Sequence, residues 1–244
     1  MRCLWKRIWK VTRSIVRIGL ITWVLAVMVL STLQRRLMYH PTTAPTLRVA
    51  DNQLVIHHFP AATDIELDSN GGAKIGGWLL RIDERLENRR PLVLLFHGNA
   101  GHRGGRIAWY TLLSQIGCDV LAIDYQGYGD SEGVPTQSAI EADAAAAWDY
   151  AETELGYRPD EILVMGISLG GAAAVHVAAQ QSAADSAPAG LITVATFSSM
   201  LEVALYYRCR HVSLLRPADD LSGLWFAGCV FLWTCCNRWI LTCV

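Results

Sequence analysis

The chain of 244 residues predicts an α/β fold, a mostly parallel sheet with helices on both faces. Two observations carry that expectation. Short apolar, β-branched runs recur along the chain and alternate with helical stretches, which is how right-handed βαβ units are written. Hydrophobic residues make up 52% of the chain and charged residues only 18%, a balance that excludes disorder over most of its length.

The elements follow in order. After a linker around Pro41–Pro45, Asp64–Asp68 and Ile75–Ile82 read as an antiparallel hairpin, joined by the glycine-rich turn Ser69-Asn70-Gly71-Gly72. The alternating series comes next: Leu92–Phe96, a helix near Arg106–Ile116, Val120–Ile123, and an alanine-rich helix from about Ser138 to Thr153. It continues through Ile162–Ile167, a helix near Gly170–Gln180, and Leu191–Ala195.

The N-terminus is a separate matter. From Ile18 to Gln34 the chain carries no charge; six basic residues precede this run and Arg35-Arg36 follow it. With Arg17 snorkelling, residues 15–33 are long enough to span a bilayer, and the excess of positive charge on the N-terminal side places that end in the cytoplasm. A cleavable signal peptide, and hence a secreted body, is the alternative, with Val29 and Ser31 near a cleavage site; the length of the run and the arginine pair favour an uncleaved anchor. All eight basic residues before Leu37 lack an acidic neighbour, so the remainder holds 13 Lys and Arg against 22 Asp and Glu, a net −9. An acidic body argues against nucleic-acid binding.

Seven cysteines contain no C-x-x-C pair, and five lie in the last 36 residues, so no even disulfide framework is present. Cys209, His211, Cys229, Cys235 and Cys236 lack the short-pair spacing of a structural zinc site, and scattered thiols are the plainer reading. Nothing resembles a phosphate-cradling Gly-Lys loop or a helical His-Glu metal pair, so no metal or other cofactor is expected.

Gly166-Ile167-Ser168-Leu169-Gly170 stands between the run Ile162–Ile167 and a helix, the context of a nucleophile elbow. Gly166 and Gly170 are needed because a sharp strand-to-helix turn packs backbone around the serine, and the helix start turns free N–H groups toward a developing oxyanion. Upstream, Leu92–Phe96 ends in His97-Gly98-Asn99-Ala100-Gly101. Ser168 is the candidate nucleophile, the N–H groups of Asn99 and Leu169 the candidate oxyanion donors, and His97 and Gly98 supporting residues. His97 reads as an orienting residue in preference to a general base.

These motifs together resemble the α/β-hydrolase superfamily, in particular its membrane-anchored serine hydrolases with serine-aminopeptidase-like and monoacylglycerol-lipase-like domains. The resemblance rests on Gln34 to Pro41, Phe96 to Gly101, Asp124 to Gly133, Gly166 to Gly171 and Thr196-Phe197-Ser198-Ser199. It implies attack by serine on an ester, thioester or amide carbonyl of an acyl or lipid substrate, and it implies that the Asp124–Gly133 carboxylates hold a turn.

The acid and base expected after the serine are not evident. His176 lies about 12 Å along a helix from Ser168 and so cannot return to it. His211 precedes Asp219 and Asp220 instead of following them, and Asp185 falls in a surface loop. Val194 stands where an acidic residue often precedes the family's Asn-Thr-Phe. The C-terminal strands of the fold are therefore expected to be missing. The Cys- and Trp-rich tail reads as the product of a frameshift or truncation near residue 207, with a second membrane segment over Leu221–Asn237 or a diverged cap as alternatives. The expected division is 1–36 basic segment and anchor, 37–63 linker, 64–207 incomplete hydrolase core, and 208–244 unrelated tail. Function follows in two forms: an impaired membrane-anchored serine hydrolase, or an inactive hydrolase-like binding module.

Overall fold

The structure is a computed structural model that describes residues 2–69, 71–83, 90–196, 229–234 and 238–243. It divides into two compact units, Met1–His40 and Pro41–Val244. The first is one helix, α1 (Arg2–Met38). Its stretch Trp9–Met38 is long and apolar enough to cross a membrane. Polar side chains in this stretch hide their hydroxyls on their own backbone: Thr22 Oγ1 donates to the Ile18 carbonyl at 2.9 Å and Thr32 Oγ1 to that of Val29 at 2.8 Å.

The second unit is built on one eight-stranded sheet. Its strands are β1 (Thr63–Asp68), β2 (Lys74–Leu80), β3 (Leu92–Phe96), β4 (Asp119–Ile123), β5 (Ile162–Ile167), β6 (Gly190–Val194), β7 (Cys229–Thr234) and β8 (Arg238–Cys243). They lie in the order β8-β7-β6-β5-β3-β4-β2-β1. The four central strands β4, β3, β5 and β6 run parallel to one another, while β4 is antiparallel to β2 on its outer side. Every residue of β3 is buried, as a parallel strand covered on both faces requires. The helices are α2 (Gln53–His58), α3 (Ile107–Gln115), α4 (Gln137–Thr153) and α5 (Leu169–Ala183). Thr136 caps α4, its hydroxyl accepting from the Ala139 N–H at 3.0 Å. The main core joins Trp78, Leu80, Val93, Leu95, Tyr110 and Leu113 between sheet and α3.

The hairpin and all seven elements of the alternating series fall where the sequence places them, within a few residues at their ends. Two expectations need correction. Residues 37–63 are not simply a linker: Val49, Val55 and Phe59 are buried in the core, Val55 and Phe59 only 1% exposed, and α2 packs on α3. The turn of α2 is short, which hid it from a periodicity reading, but one inward valine and a following phenylalanine suffice to seat it. The second correction concerns the edge beyond β6. The parallel series does end there, yet β7 pairs antiparallel with β6, Gly190 opposite Thr234, and β8 pairs antiparallel with β7. An edge of open N–H and C=O groups is satisfied by this hairpin. Within Leu221–Asn237, the described part is therefore a strand, not a membrane helix. The readings placed on Phe197–Ser199, Cys209, His211 and Asp219-Asp220, and the break near 207, lie outside the described residues.

Candidate active site

The register of the sheet assembles the site. Phe96 at the end of β3 lies beside Gly166 near the end of β5, and both strands run the same way, so His97–Gly101 and Ser168 leave one edge together. Asp124 follows β4 at that same edge, since Phe96 also pairs with Ile123. The carboxyl ends of parallel strands are where such folds place their sites.

Ser168 has φ 53° and ψ −113°, a conformation that L-residues rarely adopt. Its N–H donates to the Val194 carbonyl at 2.8 Å, which ties the elbow to β6. Its side chain does not cap α5. Leu169 is the first residue of that helix, so its N–H belongs to the first-turn donors that have no partner within the helix. The glycines expected around the serine are required sterically. A Cβ on Gly166 would strike the Gly170 backbone, one on Gly170 would strike the Phe96 carbonyl, and one on Gly171 the Thr196 side chain. A Cβ on Gly98 would sit 3.4 Å from Ser168 Cβ, so the 97–101 loop lies directly against the serine.

His97 is 1% exposed and turned away from a base's role. Its Nδ1 lies 2.7 Å from the Gly98 carbonyl oxygen, and its Nε2 lies 3.1 Å from Asp124 Oδ1, off the line of a hydrogen bond. Asp124 in turn accepts from the Arg103 backbone N–H at 2.6 Å and from Arg103 Nη1 at 2.5 Å. Arg103 also reaches Asp130, through Nη1 at 2.6 Å and Nη2 at 3.0 Å, and donates to the Leu47 carbonyl at 2.8 Å. Burial would raise the Asp130 carboxyl, but the hydrogen bonds and charge of Arg103 hold it below its ordinary range. The carboxylates of the 124–133 turn thus hold a loop.

Sequence reasoning missed Arg103, the cation that closes this cluster. The sequence signal was the pair Asp124 and Asp130 on one turn, which calls for a cation without saying which one. It also missed two tyrosines that brace the 97–101 loop. Tyr125 Oη donates to the His97 carbonyl at 2.9 Å, and Tyr128 Oη to Asn99 Oδ1 at 2.8 Å; both rings are fully buried and packed on His97. Burial holds the Tyr125 hydroxyl well above its ordinary range, with Tyr128 adding to the effect, so it stays a donor. His176 faces α4, its Nδ1 3.8 Å from Glu141 Oε1, and Asp185 lies exposed in a loop. Neither joins Ser168. No group of metal-ligating residues occurs among the described residues.

A mostly parallel sheet carrying a serine on a strained strand-to-helix turn, beside the loop that ends a neighbouring strand, defines an α/β-hydrolase fold. Comparison with known proteins narrows the class: the chain belongs to the serine aminopeptidase S33 family, whose profile matches residues 87–219. An uncharacterised protein of Mycobacterium tuberculosis is 35% identical over 175 residues, which is 71% of this chain and 58% of that protein. The lysophosphatidylserine lipase ABHD12 of Danio rerio is 32% identical over 146 residues, 59% of this chain and 37% of the lipase. A solved Pyrococcus furiosus esterase shares the fold with a TM-score of 0.53 at 19% identity, over 73% of this chain and 63% of the esterase. The chain thus spans about half the length of the first of these relatives, 58%, and less of the second, 37%.

Proposed function

We propose that this chain is a membrane-anchored serine hydrolase in which Ser168 attacks an acyl carbonyl of a lipid or small-molecule ester, thioester or amide, with turnover impaired. The observation that carries the reading is the elbow: Ser168 at φ 53° beside Gly98. The N–H groups of Leu169 and Asn99 stand as donors to the tetrahedral oxyanion, and Tyr128 orients Asn99 through its side chain. His97 and Asp124 serve the loop, which leaves proton removal from Ser168 to a group outside the described residues or to solvent. A serine without an adjacent base is a weak nucleophile, with losses on the order of 10⁴ in turnover when a triad partner is removed. The similarity to a lysophosphatidylserine lipase supports a lipid acyl ester as the substrate class. For the anchor, α1 supports a single pass over residues 15–33 with the N-terminus cytoplasmic, its basic residues lying mainly before the apolar run.

The test is labelling with a fluorophosphonate probe and mass mapping of the adduct. Slow modification at Ser168, abolished by Ser168→Ala, is expected. No adduct on a folded chain after prolonged exposure would replace this reading with the inactive binding module, which the engagement of His97 by Gly98 and Asp124 favours. For orientation, a C-terminal reporter active only in the cytoplasm should stay silent.

A further inference from the structure

The geometry points to a second membrane contact, made by the outer face of α3 with its neighbour α2, through which the body lies on the bilayer surface; the inference rests on the anchoring read above. Helix α3 and the turn after it run from Ile107 to Cys118 without a charged residue. Its polar residues are Thr111, Ser114 and the exposed Gln115. Here Tyr110 and Leu113 fill the core, but Leu112 is 49% exposed and Ile116 67%, with half-buried Trp109 in line with them at spacings of three and four residues. On α2, Val55 points inward while Leu54 stands 58% exposed and Ile56 38%. The two helices pack together over one core cluster, with Leu54 and Ile56 on either side of the inward Val55.

The occupant is lipid, on three grounds. The chain carries its own membrane-competent helix, which ends at Met38 with only fourteen residues between it and α2. The residues of and before α2 suit a lipid headgroup zone: Arg48 precedes it and His57 and His58 close it, with Asp51 the one carboxylate in 48–58. A tryptophan with leucine and isoleucine on one stripe matches the apolar face that a helix resting at the interface turns to lipid. The 97–101 loop runs through the turn Arg103–Gly105 directly into α3, which starts at the site's edge of the sheet.

The test uses the full chain in phosphatidylcholine vesicles containing a doxyl-labelled phosphatidylcholine, with a polarity-sensitive fluorescent amino acid in place of Val24 of α1, Leu112, or Thr153, which is exposed on α4. Emission is expected to be quenched strongly at position 24, about twofold at 112, as befits shallow insertion, and not at 153. Quenching at 24 without quenching at 112 overturns the docking face and leaves the anchor standing. A blue-shifted but unquenched signal at 112 overturns it in favour of a protein covering the face, a partner or a second copy. Failure at 24 removes the anchor, and the docking face with it.

Discussion

The two loops that meet at Ser168 are held by opposite means. The 97–101 loop is fixed by added groups: a buried arginine shared by two aspartates, two tyrosine hydroxyls, and an imidazole between them. The elbow is fixed by what it lacks, since Gly166, Gly170 and Gly171 leave space that a single methyl would close. The contrast teaches that a polar brace and a steric vacancy can set the same precision, but they fail differently. Losing a brace leaves a buried charge or donor unpaired, whereas filling a vacancy pushes backbone apart.

Substitutions can break that comparison at its strongest point first. Arg103→Ala strands Asp124, which is 0% exposed, and should cost about 3–5 kcal/mol in urea unfolding of the detergent-solubilised chain. Arg103→Lys should recover only part, because the two-aspartate fork needs a planar guanidinium. A cost under about 1 kcal/mol would mean that the cluster does not hold the loop. Gly170→Ala should cost about 1–3 kcal/mol and abolish fluorophosphonate labelling, while Gly105→Ala, where a Cβ meets nothing within 4 Å, should stay within about 0.5 kcal/mol. Equal effects of the two would remove the steric account of the elbow.

Acid titration sharpens the comparison further. The Asp130 value is depressed in the folded chain, so its contribution is complete above the unfolded carboxylate value of about 3.9 and is lost as pH falls through the lower folded value. Asp143 is the reverse. It is fully buried, and burial raises its carboxyl despite hydrogen bonds from Ser69 and Gln126. Its contribution is complete below the unfolded value and declines as pH rises through the raised one. Melting curves across the acid range should therefore lose acid sensitivity in Asp130→Asn and gain stability toward neutral pH, relative to the parent, in Asp143→Asn. The smallest expected effect is that of Tyr128→Phe, about 1 kcal/mol for one lost hydrogen bond to Asn99, with a slower labelling rate at Ser168 as its specific signature.

Much of this was legible in the residues themselves because periodicity and glycine spacing are local signals. The runs Leu92–Phe96 and Ile162–Ile167 appear with the same bounds in the sheet, and the glycines around Ser168 meet backbone as a tight turn demands. What was not legible is nonlocal. Arg103 acts on Asp124 and Asp130, more than twenty residues away, and no local pattern marks an arginine as buried. Val55 joins the core from a six-residue helix too short to show a period, and Phe59 from the residue that ends it. The pairing of β7 with β6 likewise depends on a partner strand, not on the text of either.

The order of the sheet has a consequence for synthesis. Strand β3 lies between β4 and β5, so its two flanks are completed at residues 119–123 and then at 162–167. As the chain emerges, β3 waits with one flank open for roughly seventy residues, and the 97–101 loop has no serine to face until β5 docks. During that interval α1 has long since left the ribosome. Under the proposed anchoring, a nascent chain arrested before residue 162 should therefore be already delivered to a membrane while β3 still depends on chaperones for cover.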